Sequence, residues 1–208
     1  MLTYMQNRLL YALIFIVLSS LTSCKSSSAG KYSAPTIPAI TLHTGDIAFR
    51  MGRTIESRVI AAEGSYSHIG IVVLSNSSPL IVHIEPERDS KEMTKYSTLE
   101  EFFAAEHAQT GAIMRSKNID SLQQEKIKKY LHSLQDISFD HDYALSDSTR
   151  MYCTELVWST YNHIGIDLSR NIRHRVPLAK ESVILPNDIY RHPDLQKIWS
   201  FKNSDVKR

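Results

Sequence analysis

Met151-Tyr-Cys-Thr-Glu-Leu-Val-Trp158 decides how this chain is read, because it carries the one cysteine left once an N-terminal targeting segment is set aside. Cys153, Leu156, Val157, Thr160, Tyr161 and Ile164 recur at helical spacing and form one apolar stripe, with Gly165 following as a C-cap. The stripe predicts a helix packed on the core, with Cys153 in its first turn. There, unpaired backbone N–H groups and the positive end of the helix dipole favour a thiolate, which would lower the thiol pKa from its ordinary value of about 8.5. A catalytic cysteine belongs in such a place. An isolated free cysteine is equally often a small buried hydrophobe, so its partners must decide.

The partners lie upstream. Ser67-His-Ile-Gly-Ile-Val-Val73 is an almost continuous apolar, β-branched run, too short for a helix, and predicts a buried strand. Ser75-Asn-Ser-Ser78 is turn chemistry, and Leu80-Ile-Val-His-Ile-Glu85 is the return strand of a hairpin. With a loop of Ser75 to Ser78, Val73 faces Leu80, Leu74 faces Pro79 and His68 falls opposite Glu85, roughly 5 Å away at Cβ. A slip of two residues would bring His83 to that position instead. A carboxylate both fixes the imidazole tautomer and stabilises the imidazolium, which favours Glu85 as partner and leaves His83 as the rival third member.

The rest of the domain is read around this pair. Gly45-Asp-Ile-Ala-Phe-Arg50 predicts a first strand, and Ile55, Val59, Ile60 and Ala62 a short helix ending near Gly64. Thr98-Leu-Glu-Glu101 is a capping box for a helix to about Glu106, with Phe102 and Phe103 inward. Gly111 to Arg115 reads as a strand. Asp120 caps a helix to about Leu134, with Leu122, Ile127, Tyr130 and Leu131 as the buried set and Lys126, Lys128 and Lys129 as an ordinary solvated face. Residues 135–150 have no sustained period and enter the cysteine helix, so they are placed at the cleft. Beyond Gly165 the chain is expected to be irregular, with a short turn at Asn187-Asp-Ile189, Trp199 and Phe201 packed on the body, and His174 and His192 as exposed imidazoles.

The ends and the composition bound the function. Arg8, the apolar run Leu9 to Leu18 and Leu21-Thr-Ser-Cys24 have the three regions of a signal peptide, too short to span a membrane as an anchor. Leu-Thr-Ser-Cys resembles a bacterial lipobox, which implies lipidation of Cys24 and a protein held on a membrane of the cell envelope, facing the periplasm or exterior. Residues 25–41, rich in Ser, Pro and Ala, read as a flexible tether, and 42–208 as a single domain. Among 208 residues, 24 Lys and Arg against 22 Asp and Glu leave the chain nearly neutral, and without a basic patch no nucleic acid is expected as partner. With Cys24 lipidated, Cys153 has no disulfide partner.

Gly45-Asp-Ile-Ala-Phe-Arg50, Tyr66-Ser-His-Ile-Gly-Ile-Val72, the Glu85 strand, Tyr152-Cys-Thr-Glu-Leu-Val157 and Pro186-Asn-Asp-Ile189 together resemble the YiiX-like, circularly permuted NlpC-type papain-like cysteine amidases and peptidases. The likeness covers most of residues 42–200. It implies a papain-like α+β fold, with an antiparallel sheet carrying the histidine and a helix headed by the cysteine. Carried over, Cys153 is the nucleophile, His68 the base and acid, and Glu85 the orienting third member. Thr154 stands where Ser is common in these proteins.

Residues and resemblance converge on one expectation: His68 takes the thiol proton, Cys153 attacks an amide carbonyl, and water resolves the acyl-enzyme. Peptide or peptidoglycan-like substrates follow from family and location. Glu155 and Tyr152, beside the nucleophile, are possible substrate contacts, although for Glu155 a structural hydrogen bond or ion pair is the preferred role. Acyl transfer or thioester hydrolysis on lipids is the rival chemistry, and a non-catalytic wall-binding lipoprotein the rival class. No cofactor is expected. A zinc site on Cys153, His68 and His83 is outranked because no compact ligand spacing such as C-x-x-C or H-E-x-x-H is present.

Overall fold

Gly45, at φ +97°, turns the chain into its first strand, and Asp46 behind it is almost wholly buried. Its carboxylate accepts two hydrogen bonds of 2.7 Å from Arg115 and one of 2.8 Å from the His43 backbone, tying the strand's start to a neighbouring strand. The Gly-Asp pair is thereby explained as a structural knot. The computed structural model describes residues 35–37, 40–61, 65–76, 78–86, 93–177 and 179–202. The signal segment, Cys24 and most of the tether lie outside them.

Eight strands and five helices are described. They run β1 (Ile47–Met51), α1 (Ile55–Ala61), β2 (His68–Ser75), β3 (Ser78–His83), β4 (Lys95–Ser97), α2 (Leu99–Phe102), β5 (Thr110–Ser116), α3 (Ser121–Ser133), β6 (Ser138–Phe139), β7 (Arg150–Met151), α4 (Cys153–His163), α5 (Pro186–Tyr190) and β8 (Leu195–Lys202). Six strands form one antiparallel sheet in the order β4-β3-β2-β1-β5-β8, so the fold is α+β. No helix among the described residues is long and apolar enough to cross a membrane.

The sheet is buried on both faces, which is why β2 reads as a continuous apolar run rather than an alternation. On one face Ile47, Phe49, Ile69, Ile71 and Met114 meet Leu156, Val157 and Tyr161 of α4. On the other, Ala48, Val72, Ile81 and Ile113 meet Leu99, Phe102 and Phe103, with Trp199 and Phe201 packed alongside.

The hairpin has the register counted from the sequence: Val73 pairs with Leu80 and Leu74 with Pro79. Pairing continues to Ser75 and Ser78, so the turn is tighter than the expected four residues, with Asn76 at φ +47°. β3 ends at His83, and Glu85 lies beyond the ladder.

Several expectations are corrected. The Thr98 capping box is present, but its helix stops at Phe102 instead of about Glu106. The chain after Gly165 is not irregular to its end, because Leu195–Lys202 forms β8 against β5, with a register shift at Ile113/Met114. Of the expected buried set of α3, Ile127 and Leu131 are buried and Tyr130 packs half-buried against the core, but Leu122 is 65% exposed. His192 is buried and accepts the Asp194 N–H, while His174 pairs with Asp188 at 2.9 Å.

Candidate active site

α4 begins at Cys153, as its periodicity predicts, with Tyr152 as N-cap and Gly165 at φ +86° just past its end. Leu156, Val157, Thr160 and Tyr161 are buried along it, so the helix is fixed by its packing against the sheet. Tyr152 is held in the core, its hydroxyl accepting the Ile184 N–H at 3.0 Å. Half-buried Cys153 therefore starts a turn that is anchored on both sides.

Cys153 packs on the core cluster that holds Ile69 and Ile71, and the Thr154 hydroxyl lies 3.8 Å from its sulfur. The nucleophile candidate is thus set against the start of β2, where His68 immediately precedes Ile69. Burial pushes the Cys153 thiol above its ordinary value, outweighing Thr154 and the Ile69 N–H, which act the other way. That reverses the lowering expected from the helix N-terminus, because loss of water around a buried sulfur costs the thiolate more than the helix end returns.

His68 is itself buried, and its Nε2 lies 3.0 Å from His83 Nδ1. His83 Nε2 in turn lies 3.0 Å from the Ser97 hydroxyl. Two tautomer sets satisfy both contacts: His68 Nε2–H donates to His83 Nδ1 and His83 Nε2–H to Ser97, or the Ser97 hydroxyl donates to His83 Nε2 and His83 Nδ1–H to His68 Nε2; the first is the one that leaves His68 Nδ1 able to accept a proton. His68 Nδ1 is left without a hydrogen-bond partner among the described residues. Both rings pack on Phe102, at centroid distances of 5.6 and 5.1 Å. Burial, helped by Arg50, His83 and Lys95, holds His68 well below its ordinary pKa. Burial likewise pushes His83 down to about 3, against the pull of Glu85. Both imidazoles are neutral at pH 7.

Glu85 has different company. Its Oε2 takes a short hydrogen bond from Arg50 and lies 3.8 Å from His68 Nε2, while Oε1 accepts from Lys95 at 3.2 Å. Burial alone would raise its carboxyl, but Arg50, His83 and Lys95 hold it below the usual value. Arg50 is buried, donates to the Phe102 carbonyl and stacks 4.6 Å from the Phe102 ring. Of the two rivals for the third position, His83 is within hydrogen-bonding distance of His68, and Glu85 stands behind it in an ion-pair network.

His68, His83 and Glu85 form a cluster whose ring and carboxylate atoms all lie within 4.8 Å of one another. A divalent cation would fit by distance alone. It fits poorly by chemistry: His68 Nε2 and His83 Nδ1 are engaged with each other, the Glu85 oxygens are taken by Arg50 and Lys95, and those two cations would repel a third.

The 135–150 segment packs beside the start of α4 through Tyr143, a residue not singled out from the sequence. Tyr143 sits at φ +52°, its ring packed on Phe139 and Tyr152 at 5.9 and 5.4 Å. Fully buried Asp140 holds this turn by accepting the backbone N–H groups of Asp142 at 2.9 Å and Ala144 at 2.6 Å. Burial, then the nearby Cys153 and Asp140 charges, push the Tyr143 phenol up to about 12. Asp140 three residues before an aromatic was the available signal, but a left-handed Tyr has no sequence signature.

Fold and site together define a papain-like scaffold in which the histidine strands precede the cysteine helix. The chain belongs to the permuted papain-like amidase enzymes, the YaeF/YiiX, C92 family, whose model matches residues 41–199. Among solved structures it is similar to the metalloprotein yiiX from Escherichia coli O157:H7, with a TM-score of 0.67 and 22% identity over 78% of this chain and 99% of that one. At that identity the likeness bears on the fold alone. No curated protein sequence registers as a relative.

Proposed function

We propose that this protein is a thiol amidase in which Cys153 is the nucleophile and His68 the base and acid, with His83 orienting His68 and Glu85 supporting the pair through Arg50 and Lys95. The observation that carries this reading is the packing of Cys153, at the head of α4, on the core built by Ile69 and Ile71 of β2, the strand that begins at a histidine whose Nε2 is held by His83. His68 Nδ1 accepts the thiol proton as sulfur attacks the carbonyl carbon. The oxyanion is received by backbone N–H groups of the first turn of α4, a contact worth about 3 kcal/mol per donor. The C–N bond breaks as the imidazolium protonates the leaving amine. Water, deprotonated by His68, then hydrolyses the thioester and frees the thiol.

The fold relative is described as a metalloprotein. For this chain, the hydrogen bonds already made by His68, His83 and Glu85 argue against a resident cation among them, and no step is routed through one.

Family and N-terminal sequence support a substrate of peptide or peptidoglycan-stem type and an envelope location through lipidated Cys24. Incubating the protein with muropeptides and following amine release tests the chemistry: Cys153→Ala must abolish release, and mass spectrometry of a slow substrate must find the acyl group on Cys153. An acyl chain from a phospholipid on Cys153 would instead assign lipid acyl transfer. Recovery of Cys24→Ala in the soluble fraction would support the anchor, and unchanged membrane association would remove it.

A further inference from the structure

Only one end of β1 serves the candidate active site: Arg50 pairs with His68 there, while Gly45 and Asp46 stand before the strand's other end. At that other end a cavity of about 270 Å³ is lined by Thr44, Asp46, Arg115, Ser116, Lys117 and Gln124, among others. Tyr161, whose hydroxyl donates to the Gly45 carbonyl, follows Cys153 by eight residues on α4, so about 12 Å of helix lies between the two places. Glu155, the possible substrate contact on α4, is 3% exposed, its Oε2 has no hydrogen-bond partner, and it takes no part in this cavity. A volume just below the roughly 300 Å³ at which ligand pockets usually begin suits a small ion or molecule.

What this cavity has left to offer is protons. Asp46, the one carboxylate among its described residues, is saturated by two hydrogen bonds from Arg115 and one from the His43 N–H. The Thr44 hydroxyl accepts the Leu74 N–H and the Ser116 hydroxyl the Asn118 N–H, which leaves both O–H groups free to donate. Arg115 commits Nε and Nη2 to Asp46 and the Thr41 carbonyl, and its Nη1 has no partner among the described residues. The Lys117 ammonium and the Gln124 amide have none there either. Arg115 and Asp46 cancel in charge, so Lys117 makes the wall cationic.

We propose that this cavity binds a phosphate-type oxyanion, with Arg115 Nη1, the Lys117 ammonium and the Thr44 and Ser116 hydroxyls as donors, at a site separate from Cys153. Charge-assisted hydrogen bonds to a phosphate are the strongest that such a donor set can make, and the paired contact with Asp46 already fixes the plane of the guanidinium. A metal cation would meet Lys117 and find no free carboxylate. Because Arg115 also holds the Thr41 carbonyl, an anion here would brace the segment that leads into β1.

The test titrates the full chain with inorganic phosphate at fixed ionic strength, followed by calorimetry and thermal melting. Phosphate should bind saturably and raise the melting temperature as the site fills. Lys117→Glu reverses the uncancelled charge on an exposed side chain, and should weaken binding by about tenfold or more while melting normally without phosphate. Lys117→Arg should retain binding. Lys126→Glu makes the same charge change on the solvated face of α3, outside the cavity, and should leave the affinity within about twofold. Absence of saturation would overturn the proposal, as would equal weakening by Lys117→Glu and Lys126→Glu, since phosphate would then answer only to overall charge. Competition names the source. Displacement of phosphate by monomeric dihexanoyl phosphatidylglycerol assigns a lipid headgroup, displacement by glycerol 3-phosphate alone a soluble phosphate ester, and displacement by neither the free ion. None of these readouts involves Cys153, so they are independent of the amidase reading.

Discussion

His68 Nε2 stands 3.0 Å from His83 Nδ1, on the last residue of β3, one of the two candidates for the third position of a triad. Glu85, 3.8 Å from the same nitrogen, is committed to Arg50 and Lys95. The first prediction separates the two. His83→Ala removes the partner that fixes the His68 ring and should lower kcat by about 100-fold or more, with some loss of melting temperature from the cavity that the buried ring leaves. Glu85→Gln leaves the buried Arg50 guanidinium without its anion and should lower stability by about 1.5–3 kcal/mol, with a smaller effect on kcat. Steady-state kinetics and urea unfolding of both variants decide, and a reversed pattern would make Glu85 the orienting residue.

How far the sequence carried this site can be traced residue by residue. The Cys153 helix and the hairpin register were legible because periodicity and turn length are local properties, and counting across the turn placed Leu80 and Pro79 correctly. Both candidates for the His68 partner, Glu85 and His83, were legible, but not the choice between them, because that depends on where β3 ends and on Arg50, a cross-strand neighbour of His68, pairing with Glu85. The thiol shift was missed because burial of a single sulfur is a tertiary property. β8 was hidden because Gln196, Lys197, Ser200 and Lys202 interrupt its apolar residues Leu195, Ile198, Trp199 and Phe201, and the register shift opposite Ile113/Met114 breaks their alternation.

Metal removal gives the second prediction. With His83 Nδ1 and both Glu85 oxygens engaged in hydrogen bonds, activity should be unchanged after exhaustive treatment with EDTA and dialysis into metal-free buffer. A loss of activity restored by stoichiometric zinc would overturn the hydrogen-bonded chain and make the cluster a cation site.

Gly70 supplies the third. A Cβ there would lie 2.5 Å from Ile81 Cγ2 and 3.0 Å from both His83 Cβ and the Val82 carbonyl, so the bare backbone is what lets β3 bring His83 up to His68. Gly70→Ala should cost about 1–3 kcal/mol by overpacking. It should also reduce kcat in the folded protein by displacing His83. Unfolding and turnover measured on the same sample check both, and a fully active Gly70→Ala would mean that the His68–His83 contact is not used.

The resting protonation state yields the last. Burial raises the Cys153 thiol, and burial together with Arg50, His83 and Lys95 depresses His68, so thiol and imidazole both stand uncharged before substrate arrives. A preformed thiolate–imidazolium pair would need both shifts to have the opposite sign. Proton transfer must then accompany attack, with His68 acting as general base on a bound substrate rather than as the counter-ion of a standing thiolate. Iodoacetamide should accordingly react slowly with Cys153 at pH 6, and the rate should still be climbing above the free-thiol value of about 8.5. His68→Ala should leave that alkylation profile nearly unchanged while abolishing amide turnover. A rate plateau near pH 5–6 that His68→Ala removes would establish the ion pair instead, and with it a site more open to water than the buried histidines describe.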